Sequence, residues 1–227
     1  MQSFRSKINP KSDRFLRNKE EMQVLIDELH AHLTVAKTEG RKASIDRARK
    51  RKKFLARERI QLLLDKDSPF IELMPLAGLL HEGGFGPGGT TVAGIGYVNK
   101  RLCIVNANLS TRKAGTVDYA TSLKIRRLGE IALENKIPTI NLVESGGANL
   151  PDQDRVFNNY GATFREMSLR SKQGIPTISV VFGNATAGGA YVPGMSDYTI
   201  MQKMLRSVLA GHTGQMATMR YQCRRLG

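Results

Sequence analysis

The chain contains very little cysteine and no obvious set of metal ligands. Its 227 residues include only Cys103 and Cys223, which lie far apart. That count excludes a disulfide framework, and the spacing matches no zinc motif, so a reducing compartment is expected. The four histidines are His30, His32, His81 and His212. They have no metal-binding spacing, so the sequence predicts no metal cofactor.

Long apolar runs are also absent. No stretch approaches the roughly 20 apolar residues that a membrane-spanning helix needs. The N-terminus is not followed by an apolar segment of the secretory type, and Glu20, Glu21 and Asp27 come early for a transit segment. A hydrophobic content of 41% with a mean hydropathy of −0.31 is typical of a globular protein. We therefore expect a cytoplasmic protein with no membrane partner, or a mitochondrial matrix protein if the source is eukaryotic.

Acidic residues are scarce relative to basic ones. The chain has 35 Lys and Arg against 20 Asp and Glu, a formal net charge of +15. The basic residues concentrate in 41–59, in the group Lys124, Arg126 and Arg127, and near the C-terminus. Such an excess favours a polyanionic partner. Because Phe54 is the only aromatic residue within the first cluster, a single-strand stacking platform is absent there. A small polyanionic ligand is favoured over nucleic acid.

The first third of the chain has helical periodicity. Apolar residues in 14–38 recur at helical spacing with charges between them, and the pattern returns in 55–64. Residues 40–53 are polar and basic, and they fit either a helix or a linker. We predict that residues 1–66 form an N-terminal helical layer.

From Phe70 the pattern changes to short apolar runs typical of strands. Residues 92–98 and 102–107 flank a two-residue turn and predict a hairpin. The glycine-rich stretch 81–89 lacks the Gly-Lys-Ser/Thr ending of a P-loop, so an ATP site is not expected. Residues 70–73 predict a further strand.

The rest of the chain alternates helices with strands. We predict helices over 122–135 and near 160–172, and strands over 139–143 and 177–182. Alternation of this kind implies an α/β fold of ββα units with a largely parallel sheet. Residues 67–201 are expected to form this domain.

Two matching turns follow the two predicted central strands. They are Glu144-Ser-Gly-Gly-Ala148 and Ala185-Thr-Ala-Gly-Gly-Ala190. A Gly-Gly step leaves adjacent backbone N–H groups without side-chain cover, and such groups can hold a phosphate or a developing oxyanion. The alternative, open above all at the first turn, is that the glycines only allow a close approach of two backbones.

Three separated segments carry a family resemblance. They are Leu55–Asp65 with Ser68–Leu73, then Val143–Pro151, and then Phe182–Asp197. In this order they resemble the N-terminal half of the carboxyltransferase (beta) subunits of biotin-dependent acyl-CoA carboxylases. The methylcrotonyl-CoA and propionyl-CoA types are the most similar. The resemblance runs from about residue 8 to about residue 201.

The resemblance implies a crotonase-like fold and transfer of a carboxyl group from carboxybiotin to an acyl-CoA through an enolate. It implies that Gly188 and Gly189 form the oxyanion hole. The residues then expected to contact the acyl-CoA around that hole are Gly146, Gly147, Ala148 and Ala187. Charge, rather than a matched motif, suggests that Arg57, Lys124 and Arg127 meet the CoA phosphates. Glu144 and Asp197 are interpreted as structural, since this chemistry does not need a protein carboxylate base.

The resemblance also implies partner proteins, and the C-terminal segment of the chain departs from the family pattern. These subunits carry a second, biotin-binding domain and work with a biotin carboxylase or biotin carrier subunit, so biotin is expected on a partner protein. Residues 202–227 form a basic tail that departs from the family pattern, which suggests truncation or a frameshift. We therefore expect the chain to be inactive alone and to self-associate. The alternatives are an acyl-CoA decarboxylase subunit, a non-catalytic CoA-binding or partner-binding fragment, and, remotely, a nucleic-acid binder.

Overall fold

The computed structural model describes residues 6–201, together with the backbone at residues 207–208 and 218–219. The helices are α1 (Asp13–Lys37), α2 (Lys42–Lys50), α3 (Ala56–Leu63), α4 (Tyr119–Asn135), α5 (Gln153–Lys172) and α6 (Gly188–Met195). The strands are β1 (Phe70–Glu72), β2 (Thr91–Val98), β3 (Arg101–Asn108), β4 (Thr139–Ser145), β5 (Thr177–Thr186), β6 (Tyr198–Met201), β7 (Ser207–Val208) and β8 (Thr218–Met219).

One mixed sheet organises the described chain. Strands β1, β2 and β3 are antiparallel, whereas β3, β4, β5 and β6 are parallel. The predicted hairpin is confirmed, with Val98 paired to Arg101 across the turn. Asn99 and Lys100 both have positive φ, of 50° and 62°, as a two-residue turn matching the strand twist requires.

The core lies on both faces of this sheet. On one face α3 packs Ala56 and Ile60 against β2, β3 and β4. On the other face α4 and α5 cover the parallel strands, with Leu128 and Val156 buried in separate clusters. The predicted α/β architecture of helices packed on a largely parallel sheet is therefore confirmed.

The N-terminal helical segment packs on the sheet only in part. Helix α3 is packed on the sheet, and Ala36 is the buried residue of α1. The apolar stripe of α1 stays exposed, with Met22 at 55% and Leu25 at 58% of their full exposure. Helical periodicity specifies that a face is apolar, but it does not specify which surface covers that face. The N-terminal segment is helical as predicted, and its assignment as one layer over residues 1–66 stays a prediction.

Two helix starts differ from prediction, and a third was not predicted. Helix α4 begins at Tyr119 because the Asp118 side chain accepts a hydrogen bond of 2.9 Å from the Thr121 amide, a standard N-cap. Helix α5 begins at Gln153, seven residues before the predicted start at 160. Helix α6 follows the second turn, as a repeated strand–turn–helix unit implies, but its bounds were not predicted because its glycines and Pro193 are poor helix formers.

The predicted tail, residues 202–227, lies mostly outside the described residues. Within it, β7 runs parallel to β5 at Ala185 and Thr186, and β8 pairs with β7. The division at residues 66 and 201 stays a prediction.

Candidate active site

The two Gly-Gly turns meet at the carboxyl ends of β4 and β5. These strands are parallel neighbours, and Ser145 is paired with Ala185. A Cβ atom at Gly147 would lie 3.0 Å from the Thr186 carbonyl oxygen, and one at Gly189 would lie 2.9 Å from the Ser145 side chain. The glycines therefore allow the two turns to touch. Ligands of open α/β sheets bind at this edge.

The backbone amides of the first turn already donate hydrogen bonds to other groups of the protein. The Gly146 amide donates to the Ala114 carbonyl at 2.9 Å, and the Gly147 amide donates to Ser145 Oγ at 3.1 Å. Ala148, which follows, forms an isolated bridge with Val117 and packs near Tyr160. These contacts make the first turn a wall beside the second turn, and its amides are not available to a ligand.

The second turn has a different geometry. Ala187 has a φ of 48° and a ψ of −121°, a strained backbone conformation for a residue with a side chain. Helix α6 begins at Gly188, so the amides of Gly188 and Gly189 lie at a helix N-terminus with partial positive charge. Among the described residues, neither amide donates a hydrogen bond. Two adjacent free donors can stabilise an oxyanion.

The surroundings hold this turn in place. The Tyr160 ring lies 3.3 Å from where a Gly188 Cβ would be, so it backs the turn. Gly189 is buried, and it lines an internal cavity together with Ser145 and Val192. The Ala190 amide donates to the Ala187 carbonyl at 2.8 Å, which closes the turn.

A basic cleft of about 670 Å³ opens beside the turns. Ser145, Gly146 and Thr186 form its floor, together with Gly183 and Asn184. The cationic side chains that line it are Arg47, Arg51, Lys53 and Lys113. Helix α2 and the following loop carry three of these four cations. The cleft is therefore suited to an anionic ligand that reaches the second turn.

Glu144 anchors the helical segment to this edge of the sheet. Its buried carboxylate pairs with Lys53 and, at 2.6 Å, with Arg59. The Arg59 guanidinium also lies 4.7 Å from the centre of the Phe182 ring. Burial alone would raise the pKa of Glu144, but hydrogen bonds from Lys53 and Arg59 hold it below its ordinary value. These contacts agree with a structural role for Glu144.

Asp197 is also engaged structurally. Its carboxylate accepts a 2.5 Å hydrogen bond from Ser171 Oγ and a 2.7 Å bond from the Thr177 amide. It therefore ties the end of α5 to the start of β5.

The structure does not bring the three predicted phosphate-binding cations to the turns. Arg57 forms two hydrogen bonds with Glu72, of 2.6 and 2.9 Å, and the pKa of Arg57 is raised mainly by this contact. Arg127 is on the surface and pairs with Glu130 at 2.8 Å. Both charges already have counter-ions, so their placement gives no support to phosphate binding.

Lys124 is the third of these cations, and it is only 2% exposed. Its ammonium donates to the carbonyl oxygens of Gly88 and Thr91, at 3.3 and 2.8 Å. Burial lowers the pKa of Lys124 to about 8. The side chain holds the glycine-rich loop against α4, and it is not accessible to a phosphate.

The cations of the cleft were visible in the sequence as part of the basic segment 41–59. The orientation of α2 decides that these cations line the cleft and that Arg57 does not, and the sequence does not show this orientation. Lys113 gave no signal, since it lies outside the basic clusters, beside Arg112 in a polar loop that forms a single 3₁₀ turn. Charge density thus indicated the segment but not the residues.

Within the described part of the chain, no group of three or more His, Cys, Asp or Glu side chains is placed to hold a metal ion. No helix among the described residues is long and apolar enough to cross a membrane.

Comparison with known proteins defines the class. The family model of the carboxyl transferase domain matches residues 47–221. The chain belongs to this carboxyl transferase family, and its fold is crotonase-like. The beta subunit of geranyl-CoA carboxylase from P. aeruginosa superposes with a TM-score of 0.85 at 36% identity. That alignment covers 95% of this chain and 41% of the subunit.

Relatives of known sequence agree. The "probable biotin-dependent acyl-coenzyme A carboxylase beta2 subunit" of Mycobacterium tuberculosis is 45% identical over 209 residues, or 92% of this chain. The mitochondrial methylcrotonoyl-CoA carboxylase beta chain of Arabidopsis thaliana is 42% identical over 200 residues, or 86% of this chain. The chain spans 39% of the first relative's length and 34% of the second's.

Proposed function

We propose that this chain is the acyl-CoA-binding half of a carboxyltransferase that moves a carboxyl group from carboxybiotin to an acyl-CoA. The observation that carries the proposal is the pair of unpartnered amides at Gly188 and Gly189, beside the basic cleft. Ser145 lines both the cleft and the cavity that Gly189 lines, so the second turn lies next to the cleft.

The cleft suits the phosphates of CoA. Arg47, Arg51 and Lys113 line it with no carboxylate partner among the described residues, whereas Lys53 also lines it but is paired with Glu144. Arginine forks match phosphate oxygens well. A second cleft of about 720 Å³ shares Ser44, Thr111 and Lys113 with the first, so the two form one groove. Phe85 lines the far part, with the Lys113 ammonium 5.4 Å from its ring. A long, positively charged groove fits an extended polyanion such as acyl-CoA, with its thioester placed at the second turn.

The turn then supports the chemistry. When the α-carbon of the thioester loses its proton, negative charge moves to the thioester oxygen, where the two amides can donate to it. Such preorganised donors stabilise an enolate by several kcal/mol, on the order of 3 kcal/mol for one donor. Carboxybiotin, when bound, would supply the carboxyl carbon to that α-carbon, with its carbon–nitrogen bond breaking and the released biotin nitrogen taking up the proton.

The complete reaction needs more than this chain. Because the chain spans about 39% of a relative's length, we propose that a second domain completes the active site and that the chain alone does not turn over. Biotin would arrive on a biotin-carrying partner, as the relatives' names state biotin dependence. A related transcarboxylase 12S structure is described as a hexamer, which supports self-association here.

Binding of CoA to the isolated chain tests the proposal. The double variant Arg47→Met/Arg51→Met should bind CoA at least about tenfold more weakly, since each charge-assisted hydrogen bond contributes roughly 1.5 kcal/mol or more. Dephospho-CoA should bind more weakly than CoA to the wild type and should lose less in the variant. Isothermal titration measures all four affinities.

The matched control is Arg126→Met/Arg127→Met, which removes the same charge from the exposed face of α4. This control should bind CoA as the wild type does. Absence of CoA binding by the folded wild type would overturn the proposal. A loss in the control alone would move the phosphate site to α4.

A further inference from the structure

An internal cavity of about 60 Å³ lies between the central strands and helices α4, α5 and α6. Ser145 and Gly189 line one end, and Thr139 and Arg170 line the other. At about 3.3 Å per strand residue, the two ends of β4 are roughly 20 Å apart. The other polar residues of the lining are Asn106, Asn108, Asn141, Tyr160 and Thr163. No carboxylate is among the residues that line this cavity.

Arg170 is the unusual member of this lining. It is only 4% exposed, and a guanidinium has five N–H donors. In the described part of the chain it donates one side-chain hydrogen bond, of 2.5 Å, to Thr139 Oγ1. Its buried Nε has no partner, and the buried Thr177 Oγ1 on the adjacent strand also has none. Burying a cation with so few partners is costly unless another acceptor is present.

The nearby carboxylates do not fill this role. Glu166 lies one turn earlier on α5, but it forms no ion pair with Arg170 among the described side chains, and its buried Oε2 is unpartnered. Burial raises the pKa of Glu166, and the charge of Arg170 acts against that rise. Both oxygens of Asp197 are occupied by Ser171 and the Thr177 amide. Arg170 therefore has no carboxylate at ion-pair distance among the described side chains, although the charges of Glu166 and Asp197 act on it from further away.

We propose that Arg170 forms a binding site for a small planar oxyanion of the size of formate or nitrate. A guanidinium matches two oxygens of such an ion with parallel hydrogen bonds. The Asn141 side-chain amide, two residues along β4 from Thr139, lines the same cavity and donates no hydrogen bond among the described residues, so it supplies a further donor. The cavity exceeds the roughly 15 Å³ that one water occupies, and its charge selects an anion. This site does not depend on the proposed function.

Titration of the chain with ¹³C-formate, without CoA, tests the site. The wild type should show saturable binding by NMR and a saturable rise in Tm of about 3 °C at high occupancy. Nitrate should compete with formate. Arg170→Met should weaken formate binding by about tenfold or more, because it removes the charge-assisted donors. Arg165→Met, which removes an exposed charge from the same helix, should bind formate as the wild type does.

Two outcomes would overturn the site. One is the absence of saturable formate binding by the folded wild type, which would mean that water alone fills the cavity. The other is equal formate affinity in Arg170→Met and the wild type. If Arg170→Met does not fold, Arg170→Lys replaces it, since lysine keeps the charge but not the planar fork. Unchanged affinity in Arg170→Lys would equally exclude the bidentate site.

Discussion

Gly189 combines a packing constraint with the proposed donor role. An added Cβ would lie 2.9 Å from Cβ and Oγ of Ser145, so any side chain must shift Ser145 or the start of α6. We expect Gly189→Val to weaken binding of an ionised nitroalkyl-CoA, whose nitronate oxygens imitate the enolate, by about 100-fold. Affinity for CoA itself should change far less. Isothermal titration of the two ligands measures the difference.

Gly161 supplies the matched control for that change. It lies on α5, and a Cβ there would meet no atom within 4 Å. Gly161→Val should keep the wild-type preference for the nitronate over CoA. If Gly189→Val keeps the same preference while folded, the amides at this turn do not act on the thioester oxygen.

Lys124 predicts a pH dependence of stability. Its pKa of about 8 in the folded state lies below its ordinary value of 10.5. Between these two values the unfolded chain binds more protons than the folded chain, so this group makes the free energy of unfolding rise with pH. Urea unfolding should show the wild type gaining about 2 kcal/mol relative to Lys124→Met between pH 7 and pH 10.

The exposed Lys172 provides the comparison for Lys124. The difference in unfolding free energy between the wild type and Lys172→Met should stay nearly constant over the same pH range. A constant difference for Lys124→Met as well would show that its ammonium is not desolvated in the folded chain.

At the scale of elements, Glu144 links the helical segment to the sheet. Its partners, Lys53 and Arg59, come from the loop after α2 and from α3. Glu144→Gln leaves a buried Arg59 uncompensated, so we expect a loss of roughly 3 kcal/mol in the free energy of unfolding at pH 7. The lowered pKa of Glu144 places this stabilisation above pH 4.5, and it is lost as pH falls below that value.

Glu58→Gln is the control for this change. Glu58 pairs with Arg49, and both side chains are substantially exposed, so its loss should cost less than about 1 kcal/mol. Urea unfolding at pH 7 compares the two variants. Equal destabilisation would indicate that Glu144 is no better buried than a surface ion pair. The wild-type advantage over Glu144→Gln should also shrink as pH is lowered from 7 to 3.

The sequence predicted elements well wherever local periodicity was strong. The hairpin and the strands β4 and β5 were found, because buried strands carry runs of apolar residues between clear turn signals. The bounds of helix α6 were not predicted, since Gly188, Gly189 and Pro193 disfavour a helix in isolation. Only the packing of that segment against β4 and β5 makes it helical.

At the scale of the whole molecule, the basic residues fall into two groups, those bonded within the fold and those that line the cleft. Arg57, Arg59 and Lys124 are engaged within the fold, whereas Arg47 and Arg51 line the cleft. Counting charges along the chain cannot separate these groups, because pairing depends on residues distant in sequence. Lys53 and Glu144, for example, are 91 residues apart.

The sequence by itself determined the family, the α/β class and the two glycine turns, since these depend on local residue patterns. Only the tertiary structure shows that the amides of the first turn have hydrogen-bond partners, whereas two amides of the second turn have none among the described residues. It also placed the cations along the cleft and buried the Arg170 side chain of α5 against the start of β4. The physical reason is that hydrogen-bond partners and counter-ions come from distant segments, which only the folded chain brings together.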